Sequence, residues 1–177
     1  MKYAIFLLGN PGNDYKLTRH NAARILFEND SSIIYTNDNT KNSDEQSIRL
    51  DIDFVIPDTY MNLSGVFVKN YLKYKSNVTP IIAYDDKDIE LGKYKIGVYE
   101  SSGGHNGVQN IIDQLGNNKF LRIRIGITPK ELMPIHGEGV VQGFVMGKFR
   151  EEEVRMIKGL RDSIVKDLQK NLISNTN

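Results

Sequence analysis

The sequence predicts a three-layer α/β/α sandwich around a twisted, largely parallel mixed sheet, built as a single domain over residues 1–177. Short apolar runs alternate with segments of helical periodicity along the whole chain, the pattern of strands joined by crossover helices. At 177 residues the length suits one ordinary domain, and no internal repeat divides it. Hydrophobic residues at 40% and charged residues at 25% are the balance of a chain that buries a core.

The apolar run at 2–8 stops at Gly9-Asn10-Pro11-Gly12, as a buried strand entering a loop does. A helix is expected from Thr18, capped by its hydroxyl, with Ala22, Ala23, Leu26 and Phe27 on its apolar face. Residues 29–47 are rich in Asn, Asp and Ser and read as a mobile surface connection, with a short strand at Ile33-Ile34-Tyr35. Residues 48–56 alternate as a strand that Pro57 ends, and a helix follows over 63–75 with Val66, Val68, Tyr71 and Leu72 packed. Residues 80–84 form a short strand delivering Asp85-Asp86-Lys87-Asp88 at its C-terminal end, where open α/β sheets place their chemistry. Residues 93–99 read as a strand broken at Gly103-Gly104, and 106–115 as a helix. Residues 121–127 read as a strand carrying Arg122 and Arg124 on one face. One long helix closes the chain: Glu151-Glu152-Glu153 suit its N-terminus, and Val154, Ile157, Leu160, Ile164, Leu168 and Leu172 recur at spacings of three and four.

Composition excludes several classes of function. No apolar run approaches the ~20 residues that cross a bilayer, and the opening segment lacks a small-residue cleavage signature, so no membrane partner is expected. The absence of cysteine rules out disulfides and thiolate chemistry and suits a cytoplasmic location. With three histidines besides, neither a metal nor any other cofactor is expected, and Asp85–Asp88 lacks the partner carboxylates of a magnesium site. A net charge of +1 exerts no global pull on nucleic acid. RNA contact would therefore be local, through Lys93 and Lys95, through Lys119, Arg122 and Arg124, or through Lys148 and Arg150.

Polar clusters fall after predicted strands or at helix starts: Gly9-Asn10-Pro11-Gly12, Thr18-Arg19-His20-Asn21, Met61-Asn62-Leu63-Ser64-Gly65, Asp85, and Gly103-Gly104-His105-Asn106-Gly107. Singly, each has an ordinary structural reading as a turn opener, a satisfied histidine, a helix cap or a flexible turn. In order, with Tyr15, Tyr60, Leu91-Gly92, Phe120–Ile127 and Val145–Phe149, they resemble the signature blocks of the bacterial peptidyl-tRNA hydrolases over nearly the whole chain.

That resemblance implies hydrolysis of the ester joining peptide to tRNA, which recycles tRNA from stalled translation. His20 would be the base activating a water without a covalent intermediate, Asp85 its orienting carboxylate, and Asn10 a catalytic amide. Tyr15, Tyr60, Met61, Asn62, His105 and Asn106 would bind substrate, with His105 at a lid or substrate-contacting edge. Lys93, Lys95, Arg122 and Arg124 would hold phosphates of the acceptor stem and 3′ end, Arg124 and Lys95 foremost. The expected partner is peptidyl-tRNA and the expected state a monomer. The pattern departs from the family at Glu100-Ser101-Ser102, where a glycine-rich flap is common, and at Gly97, where a lysine is often found. The alternative is a catalytically silent RNA-binding relative, against which stands the joint presence of Asn10, His20, Asp85 and Asn106.

Overall fold

The computed structural model describes residues 1–37, 48–75 and 77–174. At its centre is β1 (Lys2–Leu7), paired in parallel with β3 (Ile48–Val55) on one side and β4 (Val78–Glu90) on the other. Beyond β4 lies β6 (Leu121–Thr128), also parallel, while β2 (Ser32–Asn37) and β5 (Tyr94–Gly97) close the two edges antiparallel. The order is β2-β3-β1-β4-β6-β5, so the sheet is mixed and parallel in its interior, as expected.

Alternation along β1 sorts the core into two layers. Tyr3, Ile5 and Leu7 face α1 (Ala22–Leu26), α5 (Glu151–Gly159) and α6 (Arg161–Ser174). Ala4, Phe6 and Leu8 face α2 (Ser64–Tyr74) and α3 (Asn106–Leu115). Helices α2 and α3 approach so closely that a Cβ on Gly65 would lie 2.2 Å from the Asn110 carbonyl oxygen, and the Asn110 side chain accepts the Gly65 N–H at 2.7 Å. This contact brings the segment before α2 against the start of α3.

Several elements differ from expectation. The segment after Thr18 is a single 3-10 turn (Arg19–Asn21) before a five-residue α1, and the Thr18 hydroxyl donates to Tyr15 O at 2.9 Å instead of capping. Val66 is exposed, and Phe67 packs in its place against Phe6. Strand β4 does not stop at residue 84; pairing with β6 carries it through Asp85–Asp88 to Glu90 with an irregularity after Asp86. The closing helix is two, α5 and α6, parted around Leu160 after Gly159, a residue that weakens a helix interior. Helix α4 (Glu138–Met146) was not anticipated, since Gly139 and Gly143 dilute its periodicity. The short strand at 33–35 is present within β2, whereas 38–47 of the expected surface connection lie outside the described residues. Among the described residues no helix is long and apolar enough to cross a membrane.

Candidate active site

Parallel pairing aligns the C-terminal ends of β1 and β4, with Leu7 opposite Ala83 and Leu8 N–H donating to Ala83 O at 3.0 Å. The Gly9–Gly12 turn and Asp85 therefore emerge side by side. A cleft of about 800 Å³ opens over them, and Asn10, Tyr15, His20, Tyr60, Met61, Asn62, Asp85, His105 and Asn106 all line it. Four stretches far apart in the chain thus meet in one place.

At its floor Asp85, 2% exposed in its side chain, sits between two imidazoles. His20 Nδ1 lies 2.9 and 3.0 Å from the two carboxylate oxygens, and His105 Nε2 lies 3.0 Å from Oδ1. The His105 Nδ1 accepts the Val108 backbone N–H at 3.3 Å, capping α3, so its proton is on Nε2 and donates to Asp85. His20 spends its Nδ1–H on the same carboxylate, which leaves its Nε2 lone pair free at the cleft. Burial pulls the His20 pKa down, but the charge of Asp85 and the hydrogen bond to it outweigh this and raise it above the ordinary 6.5. Burial would likewise raise Asp85, yet the two imidazoles reverse the effect and hold its carboxyl well below the usual carboxylate range. Tyr84 rests edge-on against His105, ring centroids 4.8 Å apart, and packs it toward Asp85.

Asn10 is fixed from three sides. Asn21, directly after His20, accepts its backbone N–H at 2.8 Å and donates to its carbonyl at 2.9 Å. Arg24 ties down the Gly9 and Asn10 carbonyls together with Pro57 O. The Asn10 Oδ1 accepts the Met61 N–H at 2.8 Å, which turns Nδ2, a donor, toward the cleft, where its neighbour is Met146 Sδ at 3.9 Å. Met61 is buried beneath this amide, and a Cβ on Gly107 would come within 2.5 Å of its sulfur. Asn62 and Asn106 are exposed on facing rims, one in the 3-10 turn Met61–Leu63 and the other opening α3. Tyr15 and Tyr60 meet edge to face at 6.1 Å on the outer wall.

Most of the opposite wall was missed by sequence reading, which singled out Val145 and Met146 alone of its residues, within the Val145–Phe149 block. That wall comprises Ile135, His136, Glu138, Val141, Gln142, Val145 and Met146, mostly from α4, and the only local signal for the rest was acidic Glu138 opening an apolar stretch.

The four basic residues assigned to phosphates do not behave alike. Arg122 is wholly buried; its guanidinium donates to Ser101 O at 2.6 Å and Tyr99 O at 2.8 Å and stacks on Phe120 at 4.7 Å. It cannot reach a phosphate, because it is shut off from solvent with both terminal nitrogens bound to carbonyls of the 99–101 flap. Arg124, beside Lys95 in the β5–β6 register, is bound to Asp86 at 2.6 Å and covers Tyr99 at 4.5 Å. Lys93 and Lys95 are exposed, and Lys93 makes a solvent-facing pair to Glu90.

His20, Asp85 and His105 also place three possible ligand atoms within 4.8 Å of one another. A tetrahedral zinc would need them roughly 3.4 Å apart and would strip the protons that the hydrogen bonds use. The geometry fits proton sharing around one carboxylate.

A histidine anchored to a buried carboxylate, with amide donors around it at the C-terminal ends of parallel strands, is an arrangement suited to hydrolysis on an α/β fold. The family model for peptidyl-tRNA hydrolase matches residues 4–176. A peptidyl-tRNA hydrolase of Pseudothermotoga lettingae is 37% identical over 163 residues, covering 89% of this chain and 83% of that protein. The crystal structure of the peptidyl-tRNA hydrolase from Acinetobacter baumannii superposes with a TM-score of 0.70 at 31% identity, over 98% of this chain and 91% of that one. A peptidyl-tRNA hydrolase solved in complex with N-propanol gives 0.62 at 29% identity, over 90% and 83%. The chain belongs to the peptidyl-tRNA hydrolase family.

Proposed function

We propose that this protein hydrolyses the ester between peptide and tRNA, using His20 Nε2 as the base. One observation carries the reading: an imidazole anchored through Nδ1 to Asp85 at 2.9 Å, its other nitrogen open to a cleft that Asn10, Asn62 and Asn106 line. His20 Nε2 takes a proton from water as its oxygen attacks the acyl carbonyl, and Asp85 stabilises the imidazolium that forms. The Asn10 Nδ2 donates to the carbonyl oxygen as it becomes negative. Collapse of the intermediate releases the ribose 3′-oxygen, to which His20 returns the proton. No cysteine exists, and Ser102, on the cleft wall, accepts the Gly104 N–H at 3.3 Å, a contact of its own flap, so water is the proposed nucleophile.

Asn62 and Asn106 offer both a donor and an acceptor, which suits a peptide backbone, and the Tyr15–Tyr60 pair offers a face to the terminal base. Lys93 and Lys95, with Arg124 once it exchanges Asp86 for an anion, are the proposed phosphate contacts; they position the substrate without reading its sequence. One chain supplies every proposed group, so a monomer suffices, and the substrate's origin in translation makes the cytoplasm the proposed place of action. Incubation with N-blocked and with free aminoacyl-tRNA tests the reading. Release from the blocked form alone is expected, whereas equal cleavage of both, or of neither, would overturn it.

A further inference from the structure

Helix α4 forms one wall of the cleft, yet none of its residues is buried and two of its positions are glycine. Its attachment beside the catalytic segment runs through Arg19, the residue before His20. The Arg19 backbone N–H donates to Gly147 O at 2.9 Å, and Phe149 N–H donates to Leu17 O at 2.9 Å, a short antiparallel bridge that splices 17–19 to the end of α4. The Arg19 side chain then crosses that bridge. Its guanidinium stands 4.7 Å over the Phe144 ring and 5.2 Å from that of Phe149, donates to Lys148 O at 3.0 Å, and meets both oxygens of Glu153 at 3.2 Å.

Glu153 is 1% exposed and also accepts the Arg150 N–H at 2.6 Å, so the cation is tied to a carboxylate that α5 holds rigidly. A charge pair in such surroundings is costly to break once one partner is removed. Cation and rings together fix Phe144, and Phe144 lies two residues before Met146, whose sulfur neighbours the Asn10 amide. The same turn therefore faces Arg19 on one side and the proposed oxyanion donor on the other.

We propose that Arg19 is a positioning residue that holds the last turn of α4 against the His20 segment and so sets the width of the acyl side of the cleft. Its effect is on how the acyl end of the substrate is gripped, and the charge state of His20 is left to Asp85. The part of this proposal that concerns substrate rests on the peptidyl-tRNA reading; the part that concerns α4 does not.

The test uses the whole protein carrying Arg19→Met, which keeps the apolar stem and removes the donors, with Arg19→Lys, which keeps a cation between the rings, as the milder companion. Amide exchange is expected to speed up about tenfold at residues 141–147 with α3 unchanged, a loss on the scale of one charge-assisted contact. With N-blocked aminoacyl-tRNA, KM should rise severalfold while kcat and the acidic limb of the pH profile stay near wild type, and the lysine variant should recover part of the KM change. Unchanged exchange at 141–147, or protection lost equally everywhere, would overturn the assignment. So would a fall in kcat at constant KM, or failure of lysine to recover anything. If the wild type itself cleaves no peptidyl-tRNA, the functional reading fails, while the exchange comparison still decides the role of Arg19.

Discussion

The floor of the cleft and the β5–β6 edge answer to opposite requirements. On the floor, Asp85, His20, His105 and Asn10 are little exposed, each held by at least one hydrogen bond that sets its orientation. On the edge, Lys93 and Lys95 point into solvent, and Arg124 is paired with Asp86 at 2.6 Å. Chemistry is served by groups already oriented and out of water, so that little reorganises as charge develops. Contact with a phosphate backbone is served by cations left accessible, where each contributes modestly and salt screens it. Arg122 shows the boundary between the two: a cation on β6, beside the edge strand β5, that works as an internal strut for the flap.

Substitutions can break or sharpen that contrast. The largest effect is expected at His20→Ala, which should lower kcat by about 10² to 10⁴ or more while leaving RNA affinity close to wild type; single-turnover release and a filter-binding titration measure the two separately. Arg122→Ala should destabilise the fold by roughly 2 to 4 kcal/mol, because the flap carbonyls lose charged donors and a wholly buried side chain is replaced by a cavity. Denaturant melts would show this, and the salt dependence of KM should be unchanged if Arg122 has no phosphate role. Gly107→Ala should cost about tenfold in kcat/KM, since its Cβ would press on Met61, whose N–H orients Asn10. The smallest effect is expected at Lys95→Glu, a KM increase of severalfold at low salt that fades as salt is added. A kcat defect there would place the edge in the chemistry and remove the contrast.

Much of this was readable in the sequence where local pattern and tertiary use agree. The run into Gly9-Asn10-Pro11-Gly12 became β1 and its turn, the spacing of Val108 and Ile111 became the buried face of α3, and His20 and Asp85 came together as expected. What stayed hidden depends on partners. Asp85–Asp88 looks like a loop by composition and is strand because β6 pairs with it. Arg122 and Arg124 look equivalent by alternation and diverge because the flap closes over one of them. His105 looked like a rim residue, and its hydrogen bond to Asp85 follows only from the capping geometry of α3, which points Nε2 inward. Arg19 sat within a recognised block and gave no local sign of its link to Glu153, 134 positions away.

Whether Asp85 sets His20 as the base is decided by the pH dependence of kcat/KM in the wild type and in Asp85→Asn. A base works when neutral, so the rate should rise through the His20 pKa, with a midpoint above 6.5 in the wild type because Asp85 outweighs burial. Without that carboxylate, burial alone remains, and the midpoint should move to lower pH beneath a plateau reduced by about 10² to 10⁴. An acidic limb with the same midpoint in both proteins, or a plateau that does not fall, would remove Asp85 from the activation of His20.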